Sequence, residues 1–326
     1  MKRLILTSEP GLHLKVSDEV EIAIPFVFRF VWGRLQSPDE LKTYVGPRSD
    51  RHGPGMHWSD YVGPWDPDSK ARRALGLIDF CLHYDIVELW FDPGPNDQLL
   101  LIWLLYYFRP YPEITARLKL RLVDFDLISI PPLGIGKWKV HVVDVTEDEL
   151  ETASATWQAY RSPTPEACFR LLSADLSSFP LLRPALLDLL DELPCRATGL
   201  GATEMRMLEL IARGFAGTNG LFHLKTLRQT RIFSEWEYGY LLDGLAFGPM
   251  PAVAGLDEEL RTISRENLGA RHPLYLRSRL SLTEFGKAVA LYEVDFSRHN
   301  PIDRWWGGTH LTNDRLWRYD PVLMKP

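Results

Sequence analysis

Cysteine is scarce in this sequence. The chain has three cysteines in 326 residues, Cys81, Cys168 and Cys195, and no two of them form a CxxC pair. A disulfide-stabilised secreted domain and a cysteine-based zinc site both need more cysteines at closer spacing. An odd, scattered set beside apolar residues is typical of reduced, buried thiols. We therefore expect a cytoplasmic protein.

Long apolar runs are also absent. The longest is the ten residues 99–108, whereas a membrane-spanning helix needs about 20. The apolar segment at residues 4–6 is followed closely by Ser8, Glu9 and a proline, so it is too short to form the core of a signal peptide. These patterns predict no transmembrane segment, no signal peptide and no membrane partner.

The chain has no excess of positive charge. It holds 37 Lys and Arg against 43 Asp and Glu, a net charge of −6, with 45% apolar and 25% charged residues. This composition is typical of a soluble globular protein with a substantial core. An acidic chain is not a general binder of nucleic acid, because that binding depends on basic residues that neutralise phosphates. The length suggests about two domains.

The first 140 residues alternate between strand-like and helix-like segments. Short segments rich in β-formers occur at residues 4–6, 21–30, 86–91 and 118–125, and helical spacing occurs at 70–83 and 98–108. Alternation of this kind predicts a Rossmann-like α/β domain with a mainly parallel sheet over residues 1–140. The helix at 98–108 is apolar on every side, which predicts that it is buried.

The pattern changes at Thr146, where Thr and a Glu three residues later form a capping box. A helix should run from there to about Tyr160, and further helices are expected at 166–172 and 179–193. Residues 141–194 are therefore predicted to be a helical connector.

Residues 195–326 predict a mostly α C-terminal domain. Three helices are expected, at 203–213, near Leu221, and from a cap at Ser234 to Ala246. Leucines alternate with polar residues over 274–282, which predicts a half-exposed strand, and a final helix should follow Thr283. Three helices, a β-ribbon and a trailing helix resemble a winged helix, a variant of the helix-turn-helix.

Several segments in one order resemble a bacterial family. They are residues 88–92, 96–99, 157–163, 193–194, 199–204, 280–283 and 305–311. Together they resemble the proteins catalogued as domain-of-unknown-function family 1835, which have a second uncharacterised domain at the C-terminus. The resemblance covers most of the chain and implies no particular reaction. Members tend to have a Gly-Asp-Ser-type turn after the first strand, where this chain has residues 7–11, TSEPG.

Polar side chains follow two of the predicted strands. Asp92, Asn96 and Asp97 come after the strand at 86–91, and Ser8 and Glu9 come after the first strand. Ligands of open α/β sheets bind beyond the carboxyl ends of the strands. The two carboxylates and a hydroxyl could therefore hold a metal or polarise a water. The alternative is that Asn96 or Asp97 caps the next helix and Asp92 begins a turn.

No complete cofactor motif is present. Residues 134–136 and 199–201 contain Gly-x-Gly, but neither extends to a phosphate-binding GxGxxG or P-loop motif, so both are interpreted as loop residues. The nine histidines lack HExxH spacing, and His299, Asp303 and His310 are a weak metal candidate. The tandem Trp305 and Trp306 with two glycines predict a packed turn. The sequence therefore predicts no metal site, and any cofactor stays unknown.

The charge of the C-terminal domain bears on DNA binding. Residues 195–326 carry 17 Lys and Arg against 15 Asp and Glu, whereas residues 1–194 carry a net charge of −8. The third helix of a helix-turn-helix reads the major groove. Here it contains Glu235, Glu237 and Asp243, and residues 232–260 contain no Lys or Arg. Candidate nucleic-acid-binding residues lie on either side of it: Lys225, Arg228, Arg231, Arg277 and Arg279.

Three functions stay open at this point. The first is a non-enzymatic regulatory or interaction protein, whose partner is another protein. The second is a hydrolase or nucleotide-acting enzyme that uses the strand-end residues. The third is a regulator that contacts DNA through the wing rather than the third helix.

Overall fold

The chain forms two compact units. The computed structural model describes residues 2–9, 22–61, 74–124, 127, 141–224, 227 and 232–320. The first unit comprises Met1–Phe30, Leu35–Ala159 and Ala174–Ala185, and the second comprises Val31–Arg34, Tyr160–Ser173 and Leu186–Pro326. The expected boundaries at residues 140 and 194 each fall within one of these units, and the three-part division stays a prediction.

A five-stranded sheet forms the centre of the first unit. Its strands are β1 (Arg3–Thr7), β2 (Ile22–Pro25), β3 (Ile86–Trp90), β4 (Leu118–Arg121) and β5 (Val142–Asp144). They lie in the order β2-β1-β3-β4-β5. The first four are mutually parallel, and β5 pairs antiparallel with β4. The predicted α/β class with a mainly parallel sheet is confirmed.

Sequence patterns predicted some helices of this region, with shifted ends, but not the first or the fourth. The helices are α1 (Pro38–Val45), α2 (Leu77–Cys81), α3 (Pro95–Phe108), α4 (Pro112–Thr115) and α5 (Glu147–Tyr160), with a 3₁₀ helix at Trp58–Tyr61. The predicted start after Thr146 is confirmed, since its amide donates to the Glu149 carboxylate. The predicted strands were too long: β2 ends at Pro25 rather than residue 30, and β4 ends at Arg121 rather than 125.

Helix α3 is buried on all sides, as its composition predicts. Residues 98–105 and Phe108 are all buried, and the aromatic ring of Trp103 contacts Phe26, Phe28 and Phe30. With 14 residues, α3 is about 21 Å long, shorter than the hydrocarbon core of a bilayer. Within the described ranges, no helix combines the length and apolarity needed to cross a membrane.

One charged residue lies inside the sheet. Glu88 of β3 is 3% exposed, and its carboxylate accepts hydrogen bonds from Arg121 and from the Trp90 indole, with Arg3 at 3.1 Å. Burial alone would raise the pKa of Glu88, but these hydrogen bonds and the charges of Arg121 and Arg3 hold it below its usual value. The ionised carboxylate therefore links β1, β3 and β4 across one face of the sheet.

The rest of the chain is mainly helical. Its helices are α6 (Glu166–Leu171), α7 (Leu182–Asp191), α8 (Ala202–Ala212), α9 (Thr218–Phe222), α10 (Glu235–Ala246), α11 (Leu268–Arg277) and α12 (Glu284–Ala290). Short antiparallel pairs join β6 (Val253–Ala254) to β7 (Ser281–Leu282) and β8 (Asp303–Trp306) to β9 (Thr309–Thr312). Further 3₁₀ helices span Leu260–Thr262 and Phe296–Arg298. Ser234 and Thr283 cap α10 and α12 as predicted.

The strand predicted over residues 274–282 was wrong. Its first half lies in α11, and only Ser281–Leu282 pairs as a strand. Tertiary contacts fix the helix: the Thr218 hydroxyl donates to the Tyr275 carbonyl, and the Tyr275 side chain is 1% exposed. The alternating leucines were misleading, because Leu274 is exposed and the buried residue is the neighbouring tyrosine.

The tandem tryptophans lie in the β8–β9 hairpin. Gly307 and Gly308 form its two-residue turn, and Gly307 has a φ of 54°. The Gly308 amide donates to the Tyr160 carbonyl at 2.9 Å, and a Cβ at Gly308 would lie 2.0 Å from the Arg161 carbonyl oxygen. The hairpin therefore packs directly on the backbone of residues 160–161, which a side chain at either glycine would prevent.

We expect Gly308→Ala to destabilise the protein by about 1–3 kcal/mol, because its methyl group would overlap backbone rather than a movable side chain. Urea unfolding measures the loss. Gly220→Ala is the control, since that glycine lies in α9 with open space around its Cβ position, and it should be neutral or slightly stabilising. Equal stability of the two variants would contradict the packing described here.

Candidate functional site

The strand order brings the predicted strand-end residues to one edge of the sheet. Thr7 of β1 lies beside Trp90 of β3, so the chain leaves both strands side by side into Ser8 and Asp92. Strand β2 lies on one side of β1, and β4 lies on the opposite side of β3. The carboxyl ends of such a pair form a topological switch point, where ligands of open α/β sheets bind.

Two buried polar residues at this edge, Asp92 and Asn96, hold the backbone. The Asp92 carboxylate accepts the Leu127 amide at 3.0 Å, and its carbonyl accepts the Gln98 side chain at 2.7 Å. Asn96 accepts the Phe30 amide at 2.9 Å and donates to the Phe28 carbonyl at 3.0 Å. Both residues therefore have structural roles that neither the cap nor the catalytic interpretation anticipated.

The remaining strand-end residues are more exposed. Asp97 is half-buried inside α3, whose N-cap is Gly94, so Asp97 does not occupy the cap position considered for it. Ser8 and Glu9 are also half-buried, and the Glu9 amide donates to the Thr7 hydroxyl at 3.1 Å. The edge therefore presents three half-buried polar groups above a buried, hydrogen-bonded layer.

The weak metal candidate is not assembled. His310 Nε2 lies 2.7 Å from an Asp303 carboxylate oxygen, whereas the ring of His299 packs against Phe285. Across the described part of the chain, no group of three or more His, Cys, Asp or Glu residues could hold a metal ion.

Asn96→Ala should destabilise the protein by about 1–3 kcal/mol, because the Phe30 amide and the Phe28 carbonyl would lose their partner in a buried place. Denaturant unfolding measures the change. The neighbouring Asp97→Asn is the control and should change stability by less than about 1 kcal/mol. If Asn96→Ala is as stable as the wild type, these hydrogen bonds do not stabilise the fold and the structural role assigned to Asn96 is wrong.

Helix α10, the predicted third helix, has its acidic residues on the inside. Glu237 is 4% exposed and caps the helix by accepting the Ser234 amide, and Asp243 is 2% exposed. The sequence-based argument placed both carboxylates against DNA, and their burial overturns that premise. Glu235 is exposed, and Trp236 beside it is 45% exposed and stacks on His272.

The 3₁₀ helix Leu260–Thr262, here called the return segment, covers α10. The Asp243 carboxylate accepts the amides of Leu260 and Arg261 at 3.0 and 2.8 Å, and the Arg261 guanidinium donates to the Tyr240 carbonyl. A Cβ at Gly239 would lie 2.2 Å from the Leu260 side chain. Of the twelve residues of α10, only Glu235 and Trp236 are exposed.

The structure describes two of the five candidate nucleic-acid-binding residues. Arg277 ends α11, Arg279 follows it, and both are exposed. Arg279 also pairs through its backbone with Gly217. Lys225, Arg228 and Arg231 lie outside the described residues.

A cavity of about 560 Å³ lies within the second unit. Two aromatic clusters line it. In the first, the Trp32 ring lies 5.7 Å from Phe233 and 5.8 Å from Tyr240. In the second, the Tyr160 ring lies 5.3 Å from Trp306. Cavities of this volume and apolar lining hold small organic ligands.

Five charged residues also line the cavity: Glu192, Glu204, Arg261, Asp303 and Arg304. Arg304 donates from Nη1 to the Glu204 carboxylate at 2.7 Å, and Glu192 accepts the Thr203 amide and hydroxyl. Burial raises the pKa of Glu192 to about 7, helped by the charge of Glu204, although the hydrogen bonds from Thr203 and the charge of Arg304 act in the opposite direction. The carboxyl group therefore titrates near neutral pH.

Sequence reasoning missed this cavity. Arg304 and Glu204 are 100 residues apart in the chain, and no local pattern links them. The one local signal was the pair of tryptophans at 305 and 306, which was interpreted as packing. No family model matches the chain, and a search of the curated proteins found none with significant similarity.

The pH dependence of stability should report on Glu192. The folded protein keeps the Glu192 proton up to about pH 7, whereas the unfolded chain releases it near 4.5, so stability falls as pH rises through this window. Relative to Glu192→Gln, wild type should lose about 3 kcal/mol between pH 4.5 and 7.5. Urea unfolding at several pH values measures this difference. Parallel pH profiles for the two proteins would contradict it.

Proposed function

We propose that the protein is a non-enzymatic regulatory or interaction protein, whose C-terminal part is a winged-helix-like unit that serves protein docking rather than reading of DNA. The observation that carries the proposal is the covering of α10 by the return segment. A helix with two exposed residues, a glutamate and a tryptophan, offers no cation to phosphate and no face to a groove.

The order of elements supports the winged-helix-like part of the proposal. Helices α8, α9 and α10 come first, followed by β6 and β7, which pair with each other. The chain before α9 adds a third short pairing, because Gly217 bridges Arg279 and the Leu280 amide donates to the Ala216 carbonyl. In place of a plain β-hairpin wing, the stretch between β6 and β7 contains the return segment and α11.

The buried contacts between α10 and the return segment explain why DNA could not reach this helix. Breaking the contacts of Leu260 with Gly239 and of Asp243 with two amides would expose apolar surface and leave a buried carboxylate without its donors. Losing the partners of one buried polar group costs about 1–3 kcal/mol, and more for a charged one. DNA would have to supply that free energy before any contact with α10 could form.

We expect no binding to a labelled random 30-base-pair duplex at physiological salt, measured by fluorescence anisotropy. Any weak binding at low salt should disappear by about 150 mM salt, because it would rest on phosphate contacts alone. Arg277→Ala with Arg279→Ala tests the wing-led alternative. If the wild type binds the duplex with a submicromolar Kd and the double variant does not, the unit recognises DNA and the docking proposal is wrong.

The enzyme alternative is supported by the switch point between β1 and β3, where polar residues adjoin. It is disfavoured because Asp92 and Asn96 are engaged with the backbone. We expect no hydrolysis of p-nitrophenyl acetate, p-nitrophenyl phosphate or ATP above buffer. Turnover that disappears in both Ser8→Ala and Asp97→Asn, with both variants folded, would make the protein an enzyme.

The resemblance to domain-of-unknown-function family 1835 belongs to this proposal. The segments that suggested it include residues 88–92, which complete β3, residues 96–99, in the first turns of α3, and residues 305–311, in the β8–β9 hairpin. The proposed family and the cytoplasmic location both stay predictions.

A further inference from the structure

Two histidines of the first unit hold the carboxyl end of α1. His52 Nε2 lies 3.1 Å from the Thr43 carbonyl oxygen, and His57 Nε2 lies 2.7 Å from the Gly46 carbonyl oxygen. The last carbonyls of a helix lack partners within the helix, and side-chain donors such as histidine satisfy them. Both histidines belong to residues 46–61, here called the latch segment, which follows α1 directly.

The hydrogen bonds of His57 define its protonation state. The Gly46 carbonyl can only accept, so Nε2 carries a proton, and the Ser59 amide at 3.2 Å can only donate, so Nδ1 carries none. The ring is therefore neutral, and it is 0% exposed. A proton added at Nδ1 would point at the hydrogen of the Ser59 amide. Of these two contacts of Nδ1, only the Ser59 hydroxyl, 2.8 Å away, could turn to accept it.

His52 is better able to carry a charge. It is half-buried, and its Nδ1 lies 3.0 Å from both the amide nitrogen and the carbonyl oxygen of Ser49. A protonated Nδ1 therefore has a carbonyl acceptor beside it. As pH falls, we expect His52 to gain its proton before His57 does.

The charges around His57 oppose a further positive charge. The His52 ring lies 4.7 Å from the His57 ring, and Arg48 is close enough for its charge to act on it. Asp60 opposes these cations, but it already pairs with Arg48 and accepts the His57 amide. Burial lowers the pKa of His57, and His52 and Arg48 lower it further, whereas the hydrogen bond to the Gly46 carbonyl and the charge of Asp60 act in the opposite direction.

The latch segment covers aromatic side chains. Trp58 is 0% exposed, and its ring lies 4.8 Å from that of Phe80. The ring of Tyr44, on α1, lies 6.5 Å from the His57 ring. Burial raises the pKa of Tyr44 and of Tyr61, so neither tyrosine adds a charge here near neutral pH. The 3₁₀ helix at the end of the segment also contacts β2, the first strand in the sheet order.

We propose that the latch segment is an acid-sensitive switch, in which protonation of His57 beside a charged His52 breaks the hold on α1 and opens the segment, while the rest of the first unit stays folded. Opening exposes Trp58 and uncovers β2. This inference goes beyond the proposed docking function and does not depend on it, because it concerns the first unit alone.

The sign of the pH dependence follows from the neutral ring. In the open segment His57 takes up a proton near its ordinary pKa of about 6.5, whereas in the closed segment it resists protonation. The closed state therefore has its full stability above about pH 6.5 and loses it as pH falls. Between pH 7.5 and 5.0, one such histidine raises the opening constant by about 30-fold at most.

Hydrogen–deuterium exchange of the full chain, followed by mass spectrometry and corrected for the intrinsic effect of pH, measures the opening. Exchange in peptides of the latch segment should rise by about two- to thirtyfold between pH 7.5 and 5.0, while peptides of the buried α3 keep their protection. His57→Gln should remove most of the rise, because glutamine can donate to the Gly46 carbonyl but does not titrate. His52→Gln should reduce it, because His57 then loses its charged neighbour.

His83→Gln is the matched control. His83 is an exposed histidine of the same unit whose Nδ1 contacts the Asp79 carbonyl in the helix just before it, so this variant should keep the wild-type rise. The proposal is overturned if exchange of the wild-type latch segment rises less than about twofold, or if α3 loses protection together with it. Equal rises in wild type and folded His57→Gln also overturn it. If His57→Gln does not fold, an equal rise in wild type and His52→Gln does so instead.

Discussion

The buried carboxylate of Asp243 is the constraint on which the functional conclusion depends. It lies on α10 and accepts the amides of Leu260 and Arg261, which fixes the return segment across that helix. Burial raises the pKa of Asp243 to about 6, although the two amide hydrogen bonds favour the charged form. This side chain thus helps to keep α10 covered, together with the buried apolar residues of the helix. From the sequence alone, the carboxylates of this helix had suggested an outer face that would repel DNA.

The features that could be predicted from the sequence are local. Capping residues Thr146, Ser234 and Thr283 mark helix starts within one residue of the observed ones, because a cap and its helix are neighbours in the chain. The mainly parallel sheet and the buried α3 also followed from periodicity and composition. These signals act over a few residues, so tertiary contacts did not override them.

The features that could not be predicted depend on distant residues. The first residues of the alternating stretch 274–282 are helical, because Tyr275 is held by Thr218, which is 57 positions away. The roles of Asp92 and Asn96 depend on partners 35 and 66 residues away. The cavity with its Arg304–Glu204 pair arises only when the β8–β9 hairpin meets α8. No local pattern encodes such encounters, and polar residues near a strand end look the same whether they bind a ligand or support a backbone.

The two-glycine turn of the β8–β9 hairpin has a consequence for how the chain is made. Its backbone partners, Tyr160 and Arg161, leave the ribosome well before residues 307–308 do, and residues 31–34 of the same compact unit leave earlier still. The second unit therefore cannot complete its packing during translation until almost all of the described chain has emerged. The first unit, whose described elements lie before residue 186, can fold while that synthesis continues.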